Sequence, residues 1–156
     1  MTIEIGKKAP EFTATASNGE TVSLTDFKGK NVVLYFYPKD MTPGCTTEAC
    51  DFRDAHESFS GLDTVILGVS TDSLDRHKKF IDKYDLPFLL VVDEDHEVAE
   101  KYGVWKLKKN FGKEYMGIER STFIIDKEGN LVKEWRKVSV KGHVEDALTY
   151  IKENLQ

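Results

Sequence analysis

Cys45 and Cys50 are the only two thiols among 156 residues, and they stand five residues apart. A thiolate can attack an electrophile, exchange with disulfides or bind a soft metal, and its surroundings decide which. Cys45 lies in the segment Tyr37-Pro-Lys-Asp-Met-Thr-Pro-Gly-Cys-Thr-Thr-Glu-Ala-Cys50. This follows directly on Val32-Val-Leu-Tyr-Phe-Tyr, a continuous apolar run that reads as a strand buried on both faces. Ligand sites of open α/β sheets lie just beyond such strand ends. Thr42 is predicted to cap a helix, with Pro43 in its first position and Cys45 in its first turn. Unpaired amides at a helix start favour negative charge, so Cys45 is expected to ionise readily. The Thr42 hydroxyl can hydrogen-bond the sulfur or a small polar ligand, and Pro43 adds apolar cover without another N–H.

Cys50 is the second clue. Five residues along a helix put the two Cα atoms about 8.6 Å apart, beyond the roughly 7 Å that a disulfide tolerates. Either the two never pair, or the first turns unwind when they do. A sulfur oxidised by peroxide needs such a partner to escape overoxidation, which favours the second alternative, with local unfolding as the gate.

The elements that must position these thiols follow from patterning. Asn18-Gly19 signals a two-residue hairpin between short strands at Phe12–Thr15 and Thr21–Leu24. Thr25–Gly29 reads as a brief helical turn. Pro43 to about Phe59 is helical in period, and Thr64–Ser70 is a second buried strand. A helix capped by Asp72 or Ser73 runs to about Tyr84, with Leu74, His77, Phe80 and Ile81 on one side. Phe88–Val92 is a third strand, followed by a short helix near Glu94–Tyr102. Gly103–Gly117 reads as a polar, lysine-bearing loop. Ser121–Asp126 and Leu131–Lys137 form a hairpin, and Gly142–Leu155 a closing amphipathic helix. The order β-β-β-α-β-α-β-α-β-β-α predicts a mixed central sheet with helices on both faces, a thioredoxin-like α/β fold with an added N-terminal hairpin. No repeat or linker divides it, so residues 1–156 read as one domain.

Composition narrows the function classes. Twenty-two basic against 27 acidic residues give a net charge of −5, which argues against nucleic acid as a partner. Two cysteines are too few for a disulfide-built scaffold or a four-cysteine zinc site. The longest apolar runs fall far short of the ~20 residues of a membrane helix. The first residues lack the apolar stretch of a signal peptide. A cytoplasmic protein with no membrane association is expected, and a reducing cytosol disfavours a permanent disulfide.

Taken together, these motifs resemble the peroxiredoxins, specifically the bacterioferritin comigratory protein (PrxQ) group. The pattern Pro-x-x-x-Thr/Ser-x-x-Cys is met by Pro38, Thr42 and Cys45, and the group's second cysteine, five residues later, by Cys50. Lys101-Tyr-Gly-Val-Trp105 and Gly117-Ile-Glu-Arg-Ser-Thr-Phe-Ile-Ile-Asp126 are similar to its later motifs, and the likeness runs from about Ile5 to the C-terminus. Leu107 departs from it, standing where many members carry an acidic residue. The resemblance implies a cofactor-free and metal-free antioxidant peroxidase acting on hydrogen peroxide and organic hydroperoxides. It implies that Cys45 is oxidised to a sulfenic acid, that Cys50 resolves it as an intramolecular disulfide, and that a thioredoxin- or glutaredoxin-like donor reduces the disulfide. It assigns Arg120 to the active site, where a fixed charge favours the thiolate and the departing oxygen. Glu48 is expected to orient Arg120. Pro43 and Gly44 are expected near the substrate, Trp105 either near it or as a plain core residue, and a monomer is expected.

Other signals carry less. Asp93-Glu-Asp-His-Glu alternates oxygens like a calcium loop, but Val98 and Val104 stand where glycine and glutamate are needed. Cys45, Cys50 and His56 could supply three zinc ligands, yet a helix turns the cysteines to different sides. The Gly-Lys pairs lack a P-loop's upstream glycine. His56, His77, His96 and His143 read as isolated, and Lys106, Lys108, Lys109 and Lys113 as a solvated basic patch. A dithiol carrier is disfavoured because the spacing is Cys-x4-Cys and not Cys-x-x-Cys. A chaperone-like protein with incidental thiols remains the non-enzymatic alternative.

Overall fold

The computed structural model describes residues 3–156; Met1 and Thr2, the start of the stretch inspected for a signal peptide, lie outside it. The chain runs β1 (Thr13–Ala16), β2 (Thr21–Ser23), a 3-10 turn (Leu24–Phe27), β3 (Asn31–Phe36), α1 (Pro43–Asp54), α2 (His56–Ser60), β4 (Thr64–Ser70) and α3 (Leu74–Tyr84). It continues through β5 (Leu89–Val92), α4 (Glu97–Lys101), β6 (Trp105–Asn110), β7 (Lys113–Ile118), β8 (Ser121–Ile125), β9 (Leu131–Arg136) and α5 (His143–Asn154). Seven strands form one sheet in the order β2-β1-β5-β4-β3-β8-β9, with β3, β4 and β5 mutually parallel and the remaining pairings antiparallel.

All six residues of β3 are buried, as its β-branched and aromatic run requires of a central strand. Its side chains alternate between two cores. Val32, Leu34 and Phe36 join Phe12, Leu67, Phe123 and α4 on one face. Val33, Tyr35 and Tyr37 join Phe52, Phe59, Phe80 and Ile151 beneath α1, α2, α3 and α5 on the other. Tyr35 crosses its parallel neighbour β4 at Gly68, where a Cβ would come within 2.7 Å of Leu90 and 2.9 Å of the tyrosine ring. Glycine there lets a large ring lie flat against the sheet under α1, stacked on Phe52 at 4.6 Å.

Four expectations need correction. Gly103–Gly117 is no loop: β6 and β7 pair through six positions, from Trp105–Ile118 to Asn110–Lys113. Phe111 and Gly112 close the hairpin, both with positive φ (52° and 78°), the conformation of a two-residue primed turn. The alternation Trp-Lys-Leu-Lys was masked by lysine content, and phenylalanine is not a turn residue. The helix from Pro43 breaks at Ala55 into α1 and α2. The first hairpin uses a three-residue loop, Ser17-Asn18-Gly19, with Gly19 at φ 84° and Ala16 N–H donating to the Glu20 carbonyl at 2.8 Å. The helical turn expected at Thr25–Gly29 begins one residue earlier, braced by the Asp26 carboxylate accepting from Ser23 N–H at 2.8 Å.

Candidate active site

Strand β3 ends at Phe36, and Tyr37 prolongs its pairing with β4 through an N–H donated to the Val69 carbonyl at 3.0 Å. The chain then crosses the top of the sheet and enters α1. Pro43 occupies the first helical position, and Thr42 has the extended conformation of an N-cap, φ −84° and ψ 154°. The first helical hydrogen bond is Thr46 N–H to the Thr42 carbonyl, 2.8 Å, so the amides of Gly44 and Cys45 have no helical acceptor. Cys45 itself is only 1% exposed.

Arg120 arrives from the other side of the sheet. β8 is antiparallel to β3 with Ser121 opposite Phe36, so Arg120 stands level with the residue that leaves β3. Its Nη2 donates to Cys45 Sγ at 3.3 Å and its Nη1 to Glu48 Oε1 at 2.7 Å. Gly44 makes room for it, since a Cβ there would lie 3.2 Å from the guanidinium. Glu48, one turn beyond Cys45, is fully buried, and burial pushes its carboxyl up to about 7 against the pull of Arg120. Its second oxygen, Oε2, has no hydrogen-bond partner among the described residues. Burial acts to lower the Arg120 guanidinium, but the charges of Glu48 and Cys45 outweigh that and raise it. The result is a permanent cation between a buried carboxyl and a buried sulfur at a helix start: an environment built for developing negative charge.

Cys45, Gly44, Glu48 and Arg120 are therefore together. Thr42 adjoins them, but its hydroxyl donates to the Lys39 carbonyl at 2.8 Å and not to the sulfur. Its lone pairs are left to accept from a ligand. Pro38 is half-buried at the start of the loop, while Pro43 is exposed and adds less cover than expected. Cys50 is half-buried in the unbroken interior of α1, and both cysteines are free. Trp105 packs against the opposite core, stacked on His96 at 4.3 Å, so it is not among the residues around Cys45.

The sequence reading overlooked two groups. Lys108 on β6 is half-buried, and burial, followed by the Arg120 charge, lowers its ammonium. His77 is not isolated: it is fully buried and bonded to Asp40 at 2.7 Å. No short-range signal links residues 37 positions apart. His143 is also partnered, at 2.7 Å from the Thr122 hydroxyl. Asp93, from the calcium-like run, instead accepts the Val98 and Ala99 amides at the start of α4, both at 2.9 Å. An apolar cleft of about 210 Å³, lined by Leu24, Phe27, Val32 and Ile125, lies at the far end of β3 from Cys45. Among the described residues no helix is long and apolar enough to cross a membrane.

A thioredoxin-like α/β fold holding a buried thiol at a helix start, under an arginine, defines a class of thiol-based redox enzymes. Known proteins make the class specific. Residues 5–134 match the AhpC/TSA family. Peroxiredoxin Bcp of Bacillus subtilis (strain 168) is 69% identical over 153 residues, 98% of each chain. Peroxiredoxin Bcp of Escherichia coli (strain K12) is 41% identical over 152 residues, 97% of each chain. Among solved structures, the bacterioferritin comigratory protein of Xanthomonas campestris, described for its alkyl peroxide reduction activity, superposes with a TM-score of 0.91 at 38% identity, covering 98% of this chain and 100% of its own. A cysteine-to-serine mutant of PrxQ from Xylella fastidiosa gives 0.94 at 34% identity over 100% and 99% of the two chains. The chain belongs to the AhpC/TSA family and is a peroxiredoxin of the Bcp/PrxQ group, a peroxidase.

Proposed function

We propose that Cys45 is the peroxidatic thiol of a peroxidase for hydrogen peroxide and alkyl hydroperoxides, and that Cys50 resolves it. The observation that carries this is the Arg120 guanidinium against Cys45 Sγ at 3.3 Å, backed by buried Glu48. The Cys45 thiolate attacks the terminal oxygen of the peroxide. An S–O bond forms, the O–O bond breaks, and the departing oxygen takes up a proton to leave as water or an alcohol. Sulfur ends as a sulfenic acid. Arg120 and the amides of Gly44 and Cys45 stabilise charge on the oxygens during the displacement, and the Thr42 hydroxyl accepts the peroxide's proton-bearing end. Pro38 shapes the loop that carries Thr42. The alkyl peroxide activity of the Xanthomonas relative supports the same substrate class here.

Cys50 thiolate then displaces hydroxide from the Cys45 sulfur, giving a disulfide, and the hydroxide takes up a proton to leave as water. α1 is intact between the two cysteines, so this step needs its first turns to open. A dithiol donor of thioredoxin or glutaredoxin type reduces the bond, and the protein works as a cytoplasmic monomer. The test is peroxide consumption coupled to thioredoxin, its reductase and NADPH. Cys45→Ser is expected to abolish turnover. Cys50→Ser is expected to oxidise once and then accumulate sulfenic and sulfinic acid by mass spectrometry. Full turnover by Cys45→Ser overturns the assignment. Identical hydrogen exchange across residues 42–53 in the reduced and oxidised proteins overturns the unwinding step.

A further inference from the structure

We propose that Asp40, held by His77, Asp72 and Arg76, is a positioning residue for the peroxide reaction: it fixes the turn that aims Thr42 and the first amides of α1 at Cys45. The inference rests on the reading of Cys45 as the peroxidatic thiol.

Every polar group of Asp40 is committed to a different part of the molecule. Its N–H donates to Asp72 Oδ2 at 2.7 Å, and its carbonyl accepts from Arg76 Nη2 at 3.3 Å. Its Oδ1 accepts the Tyr37 hydroxyl at 2.5 Å, and its Oδ2 lies 2.7 Å from His77 Nδ1. Asp72 is fastened in turn by the Ser70 hydroxyl at 2.7 Å and Arg76 Nε at 3.1 Å. His77 Nε2 faces the Val91 carbonyl at 2.8 Å. A carbonyl cannot donate, so Nε2 carries a proton. A second proton lies between Nδ1 and the Asp40 carboxyl and holds the two together. Asp40 and His77 are 1% and 0% exposed, so water does not compete for these bonds.

This mooring ties the end of β3 to β4, β5 and the start of α3, and it stops two residues short of Thr42. The intervening residue, Met41, has φ 65°, a left-handed conformation that side chains other than glycine disfavour. Such strain persists only where the flanking structure imposes it. Here the Asp40 mooring on one side and Pro43 on the other do so, and Thr42, bonded back to Lys39, takes its direction from that bend.

Asp40, Asp72 and His77 also bring ligand atoms within 4.8 Å of one another, but each already has a hydrogen-bond partner. At 2.7 Å, Nδ1 and Oδ2 stand closer than the ~3.3 Å that two ligands of a tetrahedral zinc keep.

Stopped-flow oxidation of the reduced protein by hydrogen peroxide tests the proposal, with folding checked by circular dichroism. Asp40→Ala is expected to slow the oxidation of Cys45 by about a hundredfold, the cost of a reacting group displaced by about 1 Å. Asp40→Asn can accept from Tyr37 and donate to a neutral His77, so it is expected to restore the wild-type rate. A folded Asp40→Ala protein that oxidises at the wild-type rate overturns the proposal, as does an Asp40→Asn protein as slow as Asp40→Ala. Nitrogen-15 NMR of the His77 ring in the wild type is independent of how any variant folds. Two ring N–H protons protected from solvent are expected, and a ring in fast exchange overturns the mooring. If the wild type itself fails to oxidise at Cys45, the peroxidase reading falls and this proposal with it, whereas a wild type that oxidises beside variants that depart from the stated rates overturns this proposal alone.

Discussion

Glu48 and His143 are buried titratable groups that bend the pH dependence of stability in opposite directions, and replacing Glu48 separates them. Burial raises the Glu48 carboxyl from 4.5 to about 7 even with Arg120 beside it. Its stabilising contribution is complete below pH 4.5, where folded and unfolded chains are both protonated, and drains away as pH rises to about 7. At about 1.36 kcal/mol per unit the loss is about 3 kcal/mol. His143 has the opposite sign. Burial lowers it from 6.5 to about 4, so its contribution is complete above 6.5 and is lost as pH falls to about 4, again by about 3 kcal/mol. The wild-type profile between these limits is therefore flatter than either group alone would make it. Glu48→Gln keeps an acceptor for Arg120 Nη1 but cannot ionise. Urea unfolding of the reduced proteins, followed by tryptophan fluorescence, gives the difference at each pH. The variant is expected to gain about 3 kcal/mol on the wild type between acid and mildly alkaline solution. Asp51 and Asp93, also raised by burial, cancel because both proteins keep them. A difference that stays constant from about pH 4 to about pH 8 refutes the argument that burial outweighs Arg120 at Glu48.

Three further outcomes follow from named contacts. Arg120→Met removes the donor to Cys45 Sγ and is expected to slow peroxide oxidation of Cys45 by about 10²–10³-fold in stopped-flow measurements. Gly44→Ala places a methyl group 3.2 Å from the same guanidinium, so a smaller loss of rate is expected with the fold retained by circular dichroism. Phe111 is 98% exposed at φ 52°, so Phe111→Asn loses no packing and relieves a left-handed strain of about 1 kcal/mol, raising the melting temperature by about 3 °C in calorimetry.

The fold was legible wherever burial dictated the residue pattern. β3, β4 and β5 are short apolar runs because a central parallel strand has no solvent face, and their composition admits few other readings. α3 announced itself through Ser73, whose hydroxyl accepts the Arg76 amide at 3.2 Å. The β6–β7 hairpin escaped because most of its side chains face solvent, so neither strand carries an apolar run. Its pairing comes from backbone hydrogen bonds, which sequence period does not record, and its turn is made by a residue without turn preference.

Legibility at the site followed sequence distance. Thr42, Pro43, Cys45 and Glu48 lie within two turns of one helix start, and a cap, a proline and an anion-favouring amide cluster are local rules that can be read in order. Arg120 is 75 residues from Cys45, and strand register places it there. Only its surrounding motif, shared with known peroxiredoxins, could have marked it beforehand. Asp40 stood in plain view inside the active-site segment and was passed over. A charged residue two places after a loop proline reads as solvated until Tyr37, Asp72, Arg76 and His77 are seen to converge on it. The same residue type is thus surface decoration or the mooring of a reactive loop depending on whether water reaches it, and water access is a property of the fold.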